Sequence, residues 1–307
     1  MNCLVTGAAG FIGSHLCEHL LHAGHSVTGL DAFIPYYPRS LKESNLQTAL
    51  RHPDFTFHEV DLRSDPLDEA LDDVEAVFHL AAVPGLSRSW VDFDLYQSCN
   101  LTATQRLLEA IRSRGLRRFV YASTSSVYGR HASGDESLPA RPISPYGVTK
   151  LAAENLCRAH AEEFGLPLVV LRYFSIYGPR QRPDMGYQRF IHAMLRGQPV
   201  TVCGDGLQIR GNTYIDDCCE ATMAALEAPV GEVYNVGGGE TANVWEILGK
   251  LETILDCRAV VQREPPRPGD QRFTSADTAR LAHHLGWRPR VGLAEGLSLQ
   301  VAWQRSL

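Results

Sequence analysis

The stretch Thr6-Gly7-Ala8-Ala9-Gly10-Phe11-Ile12-Gly13 limits what this chain can fold into more than any other part of it. It follows the apolar run Cys3–Thr6 directly and opens a helical pattern over Ile12–Ala23. In such a strand-to-helix turn Gly7 permits the tight bend, and Gly10 lets the backbone approach a diphosphate. Gly13 lets the helix sit close against the strand. The N-terminus of that helix offers free N–H groups and a partial positive charge to an anion. Asp31 stands at the end of the next strand-like run, Ser26–Leu30. A carboxylate there can accept both hydroxyls of an adenosine ribose and repels a 2′-phosphate, so the pattern favours NAD over NADP.

Further along, strand-like runs at Phe55–Val60, Ala76–Leu80, Arg118–Ala122 and Pro167–Arg172 alternate with helical patterns at Pro66–Leu71, Phe93–Arg114 and Tyr146–Phe164. This alternation predicts an α/β fold built on a Rossmann-type, doubly wound parallel sheet. The segment Ala32–Leu46, with Tyr36, Tyr37, Arg39 and Lys42, reads as one long connection beside the cofactor. After Arg172 the pattern loosens, with Gly/Pro/Arg-rich breaks at Gly178–Gly186 and Arg263–Gly269. Phe190–Leu195 and Leu293–Trp303 read as helices, and Val200–Val202 and Val233–Asn235 as short strands. The expected division places residues 1–174 with roughly 207–240 in the dinucleotide-binding domain. Residues 175–206 and 241–307, also rough bounds, would form a smaller, discontinuous C-terminal α/β lobe over the strand ends.

Composition narrows the partners. A formal charge of −6 gives no basic field for nucleic acid, so an anionic ligand must be held by placed arginines and backbone amides. A strand begins almost at residue 1 with no basic leader, and no apolar run approaches the roughly 18 residues needed to span a bilayer. A cytoplasmic location with no membrane partner is expected. The eight cysteines contain no CxxC and suit reduced, mostly buried thiols. The twelve histidines contain no HExxH, and no metal is expected.

The second informative pattern is Tyr146-Gly-Val-Thr-Lys150. Residues four apart share a helix face, so the Lys150 ammonium can lie near the Tyr146 phenol. That cation, together with an oxidised nicotinamide ring, would favour the phenolate, a base able to take a hydroxyl proton while hydride leaves the same carbon. Tyr121-Ala-Ser-Thr-Ser-Ser-Val-Tyr-Gly129 ends the fifth strand, where ligands bind in doubly wound sheets. Hydroxyls placed there can hold the reacting oxygen and relay its proton.

Taken together, these motifs resemble the extended short-chain dehydrogenase/reductases of the NAD-dependent epimerase/dehydratase type, along the whole chain. The resemblance implies Thr124, Tyr146 and Lys150 as the catalytic set. It implies NAD contacts from Gly7, Gly10, Phe11, Ile12, Gly13, Asp31, Asp61, Leu62, Leu80, Ala81, Ala82, Asn100, Tyr146, Lys150, Tyr173 and Phe174. Within that family Leu171–Met185, including Arg182-Pro-Asp-Met185, is similar to the matching stretch of UDP-glucuronate 4-epimerases. Decarboxylases typically carry Glu at the position of Ser126, and 4,6-dehydratases an Asp-Glu pair at Ser125-Ser126, so two serines imply plain epimerisation. Substrate contacts are implied from Pro84, Gly85, Thr124, Ser125, Ser126, Ser175, Arg182, Arg189, Val202, Arg210, Arg267 and Asp270. A sugar carboxylate would be taken by Arg182 in a two-bonded fork, with Arg180 and Arg189 as rivals. The chain departs from the family at Gly211-Asn212, which replaces Asp-Phe, and at Ser87-Arg88, where the arginine is displaced. Left open are 4-epimerisation of UDP-glucose or UDP-N-acetylglucosamine, decarboxylation of UDP-glucuronate, and a catalytically silent NAD-binding protein. The segments around Tyr96–Ile111 and Leu151–Phe164 are long for crossover helices, and their apolar positions can cover the sheet and also meet a second subunit, so a homodimer through them is expected.

Overall fold

The computed structural model describes all 307 residues. Seven parallel strands form the central sheet, in the spatial order Val233–Val236, Leu168–Tyr173, Arg118–Thr124, Ala76–His79, Asn2–Thr6, Ser26–Asp31, Phe55–Glu59. The order reverses at Asn2–Thr6, which has Ser26–Asp31 on one side and Ala76–His79 on the other. A crevice opens beyond the strand ends at such a reversal. The central strands Ala76–His79 and Leu168–Tyr173 are buried along their whole length, as expected of strands covered by helices on both faces.

The helix that carries Tyr146 runs from Pro145 to Phe164. Ser144 caps it by accepting from the Gly147 amide at 3.1 Å, Pro145 presets its first turn, and Gly165 ends it at φ +70°. Tyr146 and Lys150 therefore sit in the first two turns, directly over the end of Arg118–Thr124.

Three expected elements come out differently. The long connection Ala32–Leu46 contains a helix, Arg39–Leu46, whose Asn45 Nδ2 donates to the Ala9 carbonyl at 3.1 Å. That contact ties it to the glycine turn. The single helix expected over Phe93–Arg114 is interrupted: Phe93–Gln97 and Ala103–Ile111 are α-helical and Ser98–Thr102 forms a wide π-turn. Asn100 lies in that turn and uses its amide on the Val83 backbone, accepting at 2.7 Å and donating at 3.0 Å, which gives the irregularity a reason. Over Pro66–Leu71 just one 3-10 turn forms, Glu69–Leu71. Asp73, with φ +57°, leads the chain straight on into the next strand.

A second, four-stranded sheet joins Thr241–Ala242, Ile209–Gly211, Phe273–Ala276 and His131–Gly134. The last of these comes from the first half of the chain and ties the two halves together. No helix is long and apolar enough to cross a membrane.

Candidate active site

Two cavities meet above the strand ends. The first, about 350 Å³, runs from the glycine turn along the ends of the sheet strands. Gly7 takes φ +74°, and a Cβ there would lie 2.9 Å from the Ala81 amide nitrogen. A Cβ on Gly10 would lie 3.1 Å from the Gly7 carbonyl oxygen, and one on Gly13 would overlap that oxygen outright. Bare backbone therefore lines this part of the cavity, with Phe11 and Ile12 at the helix start. At the far end the Asp31 carboxylate accepts from the amides of Ala9 (3.1 Å) and Phe33 (2.8 Å), with Lys42 Nζ at 3.7 Å. Asp61 is held by the Arg63 guanidinium at 2.6 Å, which keeps its carboxyl below the usual range. Leu62, Leu80, Ala81, Ala82 and Tyr173 complete an apolar wall. A glycine cradle at a helix N-terminus, a fixed acid and an apolar slot suit a dinucleotide with a free 2′-hydroxyl.

Thr124, Tyr146 and Lys150 all line this cavity. Burial pushes the Tyr146 phenol above its ordinary value, while the Thr124 hydroxyl and the Arg182 charge pull it back. Burial lowers Lys150 to about 7, with Cys157 and Glu154 opposing that shift. Its Nζ lies 4.2 Å from the centroid of the Tyr121 ring, a cation–π contact in place of an ion pair. The charge that draws the phenol down within this chain is that of Arg182, a contribution the YxxxK spacing does not reveal.

The second cavity, about 780 Å³, is lined by Arg189, Val202, Arg210, Arg267 and Asp270. Arg210 bonds Asp270 at 2.6 Å, and the Arg267 side chain is exposed. Tyr36, Gly85, Ser175, Ile176, Arg182 and Met185 line both cavities and form the neck between them, with Pro84 on the dinucleotide side. Arg182 is held there by Asp184 through Nε at 3.0 Å and Nη2 at 3.1 Å. Burial works against its charge, and Asp184 outweighs that effect.

Several residues expected at the site line neither cavity. Asn100 does not reach the cavity, because its amide is spent on Val83 and on Thr149 at 3.1 Å. Phe174 points away into a small core with Val127, Tyr128 and Ala132. Ser125 and Ser126 line neither cavity: the Ser125 hydroxyl turns to Gln271 at 3.4 Å, and the Ser126 amide donates to Thr124 Oγ1 at 3.1 Å. Arg180 pairs with Glu18 at 2.8 Å on the first helix, outside both cavities, and drops out as a carboxylate ligand. Conversely, Arg63, Lys42 and Tyr36 line the site and were not assigned to it. Tyr36 and Lys42 sit in the segment read as a connection, and Arg63 follows Asp61-Leu62 directly.

Known proteins agree with this geometry. The model of the NAD dependent epimerase/dehydratase family matches residues 3–237. The chain belongs to that family. A Bacillus subtilis (strain 168) protein described as an uncharacterized UDP-glucose epimerase is 44% identical over 100% of this chain and 99% of its own. The UDP-glucuronate 4-epimerase of Thermodesulfobacterium geofontis is 36% identical over 98% of this chain and 95% of its own. The crystal structure of Bacillus cereus UDP-glucuronic acid 4-epimerase, in complex with UDP-glucuronic acid and NAD, is similar at TM-score 0.97 and 44% identity, covering 100% of this chain and 99% of that one. NAD is the cofactor of this family member, and the extended short-chain fold read from the glycine turn is the one observed.

The buried lysine makes a prediction. Unfolded, the Lys150 amine takes a proton below about 10.5; folded, it does so below about 7. Between those values unfolding takes up a proton, so this group adds stability as pH rises through the window. Lys150→Met should abolish turnover and flatten the rise in melting temperature between pH 7 and pH 10, about the interval between those two values. Melting curves of both proteins across that range check it, and parallel curves would count against a depressed lysine.

Proposed function

We propose that this chain inverts C4 of UDP-glucuronate to give UDP-galacturonate. The observation that carries the reading is Arg182. Its guanidinium lies at the neck between a dinucleotide cavity and an arginine-lined cavity, near enough to act on the Tyr146 phenol. A sugar whose nucleotide end lies among Arg189, Arg210 and Arg267 would present its ring at that neck. Of the three arginines considered for the carboxylate, Arg182 faces both cavities, Arg189 faces the second alone and Arg180 faces neither.

When bound, NAD supplies a reversible two-electron acceptor beside C4. The chain does the rest. The Tyr146 oxygen takes the 4-hydroxyl proton and later returns it, with the Thr124 hydroxyl as relay. Lys150 lies beneath the site with its Nζ over the Tyr121 ring, and below about pH 7 it adds positive charge there. The 4-keto sugar turns at the neck and offers its opposite face. With a carboxylate on C5 it is a β-keto acid, prone to lose carbon dioxide, and Arg182 with Ser175 restrains that carboxylate. On this reading residues 1–174 with roughly 207–240 bind the dinucleotide, and roughly 175–206 with 241–307 bind the nucleotide sugar.

One observation favours UDP-glucose instead. Arg182 already has Asp184 as its counter-ion, so a neutral sugar would leave no charge unpaired. A homodimer through the helices around Tyr96–Ile111 and Leu151–Phe164 also fits, supported by exposed Phe93, Val148 and Phe164 on those elements. Sedimentation of the purified protein as a monomer would remove that part of the reading.

Tyr146→Phe keeps the ring volume and removes the base. Epimerisation should fall by about 10²–10⁴-fold with NAD still bound, read by NMR of the sugar products. Retention of most of the activity would take Tyr146 out of the role.

Arg182→Leu should weaken UDP-glucuronate turnover far more than UDP-glucose turnover. A charge-assisted bond contributes about 1.5–3 kcal/mol, so the ratio of the two kcat/KM values should shift by about 10- to 100-fold. Some UDP-pentose should escape from the loosely held keto acid. An equal loss on both sugars would place Arg182 on the diphosphate or in the fold and hand the carboxylate to Arg189.

A further inference from the structure

We infer that Arg180 is a positioning residue that fastens the sugar-facing loop to the dinucleotide helix and so sets where Arg182 stands. The role concerns the same site as the reading above and rests on it for the part played by Arg182. Arg180 adopts φ +63°, a left-handed conformation uncommon for a residue with a large side chain, in a loop that also contains Gly178. A glycine there would be free of that cost. What the conformation achieves is the direction of the side chain. Arg180 Nη2 donates to Glu18 Oε1 at 2.8 Å, and Nη1 to Ser14 Oγ at 3.3 Å. Both partners lie on Phe11–His22, the helix whose N-terminus forms the phosphate cradle. The pair is 16% and 17% exposed, so water screens it far less than a surface ion pair.

A second contact runs parallel to it. His15 Nε2 lies 3.1 Å from the Pro179 carbonyl. A carbonyl can only accept, so Nε2 carries the proton. Burial, followed by the nearby Arg180 charge, lowers this imidazole to about 4, and it stays neutral beside the guanidinium. On the opposite side Gln181 ties the loop to the C-terminal helix Leu293–Arg305. Its Oε1 accepts from Gln300 Nε2 at 2.8 Å, and Gln300 Oε1 accepts from the Gly178 amide at 3.1 Å. Consecutive residues 180 and 181 thus pull the loop against two different helices, and Arg182 is the next side chain, turned into the neck. Gln181 itself lines the second cavity, but Arg180, Glu18, Ser14, His15 and Pro179 line neither, so Arg180 must act through backbone placement.

The test uses the protein with its bound NAD and whichever UDP-sugar the wild type turns over, so failure of the substrate reading shows first, in the wild-type assay. Arg180→Gly removes the clamp and tolerates the positive φ; Glu18→Ala removes its partner; the double variant closes the cycle. Each single variant should raise KM about tenfold with a smaller effect on kcat, and the double should be no worse than either, because both remove one interaction. NAD content, measured on heat-released nucleotide, should stay at the wild-type level. Arg180→Lys should move KM back toward wild type.

A fall in melting temperature with KM and kcat unchanged would overturn the inference and leave a structural ion pair. A raised KM in Arg180→Gly with none in Glu18→Ala would also overturn it, placing Arg180 on the substrate itself. Should Arg180→Gly fail to fold, Glu18→Ala and Arg180→Lys still decide, by whether KM moves.

Discussion

A methyl group on Gly13 would collide with the Gly7 carbonyl oxygen, and the site depends on the closeness that this absence permits. The first helix can start hard against the end of the first strand, so its free amides face the crevice at the reversal of strand order. The same few residues receive support from elsewhere: Asp31 accepts from the Ala9 amide, Asn45 donates to the Ala9 carbonyl, and the Ala81 backbone passes within contact of Gly7. Each contact fixes the backbone in place of adding a side chain. The cradle is therefore preorganised, and little of it needs to move when a diphosphate arrives.

Charge at the reacting end is governed by burial. The Tyr146 phenol rises and the Lys150 ammonium falls for the same reason, since both are taken out of water. A site in which base and cation are both disfavoured is tuned by whatever positive charge remains near it. Arg182 is such a charge, and it is compensated in turn by Asp184 and flanked by the Tyr36 ring. On the proposed reading, substrate recognition and the acidity of the base would share one guanidinium.

The features legible in the sequence are those set by local geometry. The glycine turn, Asp31, Tyr146 and Lys150 could be read because the φ of Gly7, the strand end and helix spacing are properties of short stretches. Six of the seven sheet strands followed from alternation; the edge strand Val233–Val236 lies beyond the point where that alternation loosens. What could not be read is decided by contacts between distant segments. Asn100 looks like a ligand until Val83 is seen to take its amide. Ser125 looks like a substrate contact until Gln271, far along the chain, is found beside it. Arg180 and Arg182 are two residues apart in one basic run, yet one faces the first helix and the other the neck. The helix Arg39–Leu46 is hard to read because Leu41 and Leu46 are its sole apolar residues, and the contact that ties it in place, Asn45 to the Ala9 carbonyl, lies with a distant segment.

The neck has a mechanical consequence. A sugar ring that must show both faces to one oxidant needs a pivot, and on the proposed reading the pivot would be the far end of the molecule. The larger cavity would anchor that end through guanidinium groups that have no part in the chemistry, while the ring would swing on the diphosphate as on a tether. A free monosaccharide would have nothing to swing from: once oxidised it could leave as readily as turn over. The nucleotide acts as a leash that keeps a reactive ketone at home until it has been reduced from the other side.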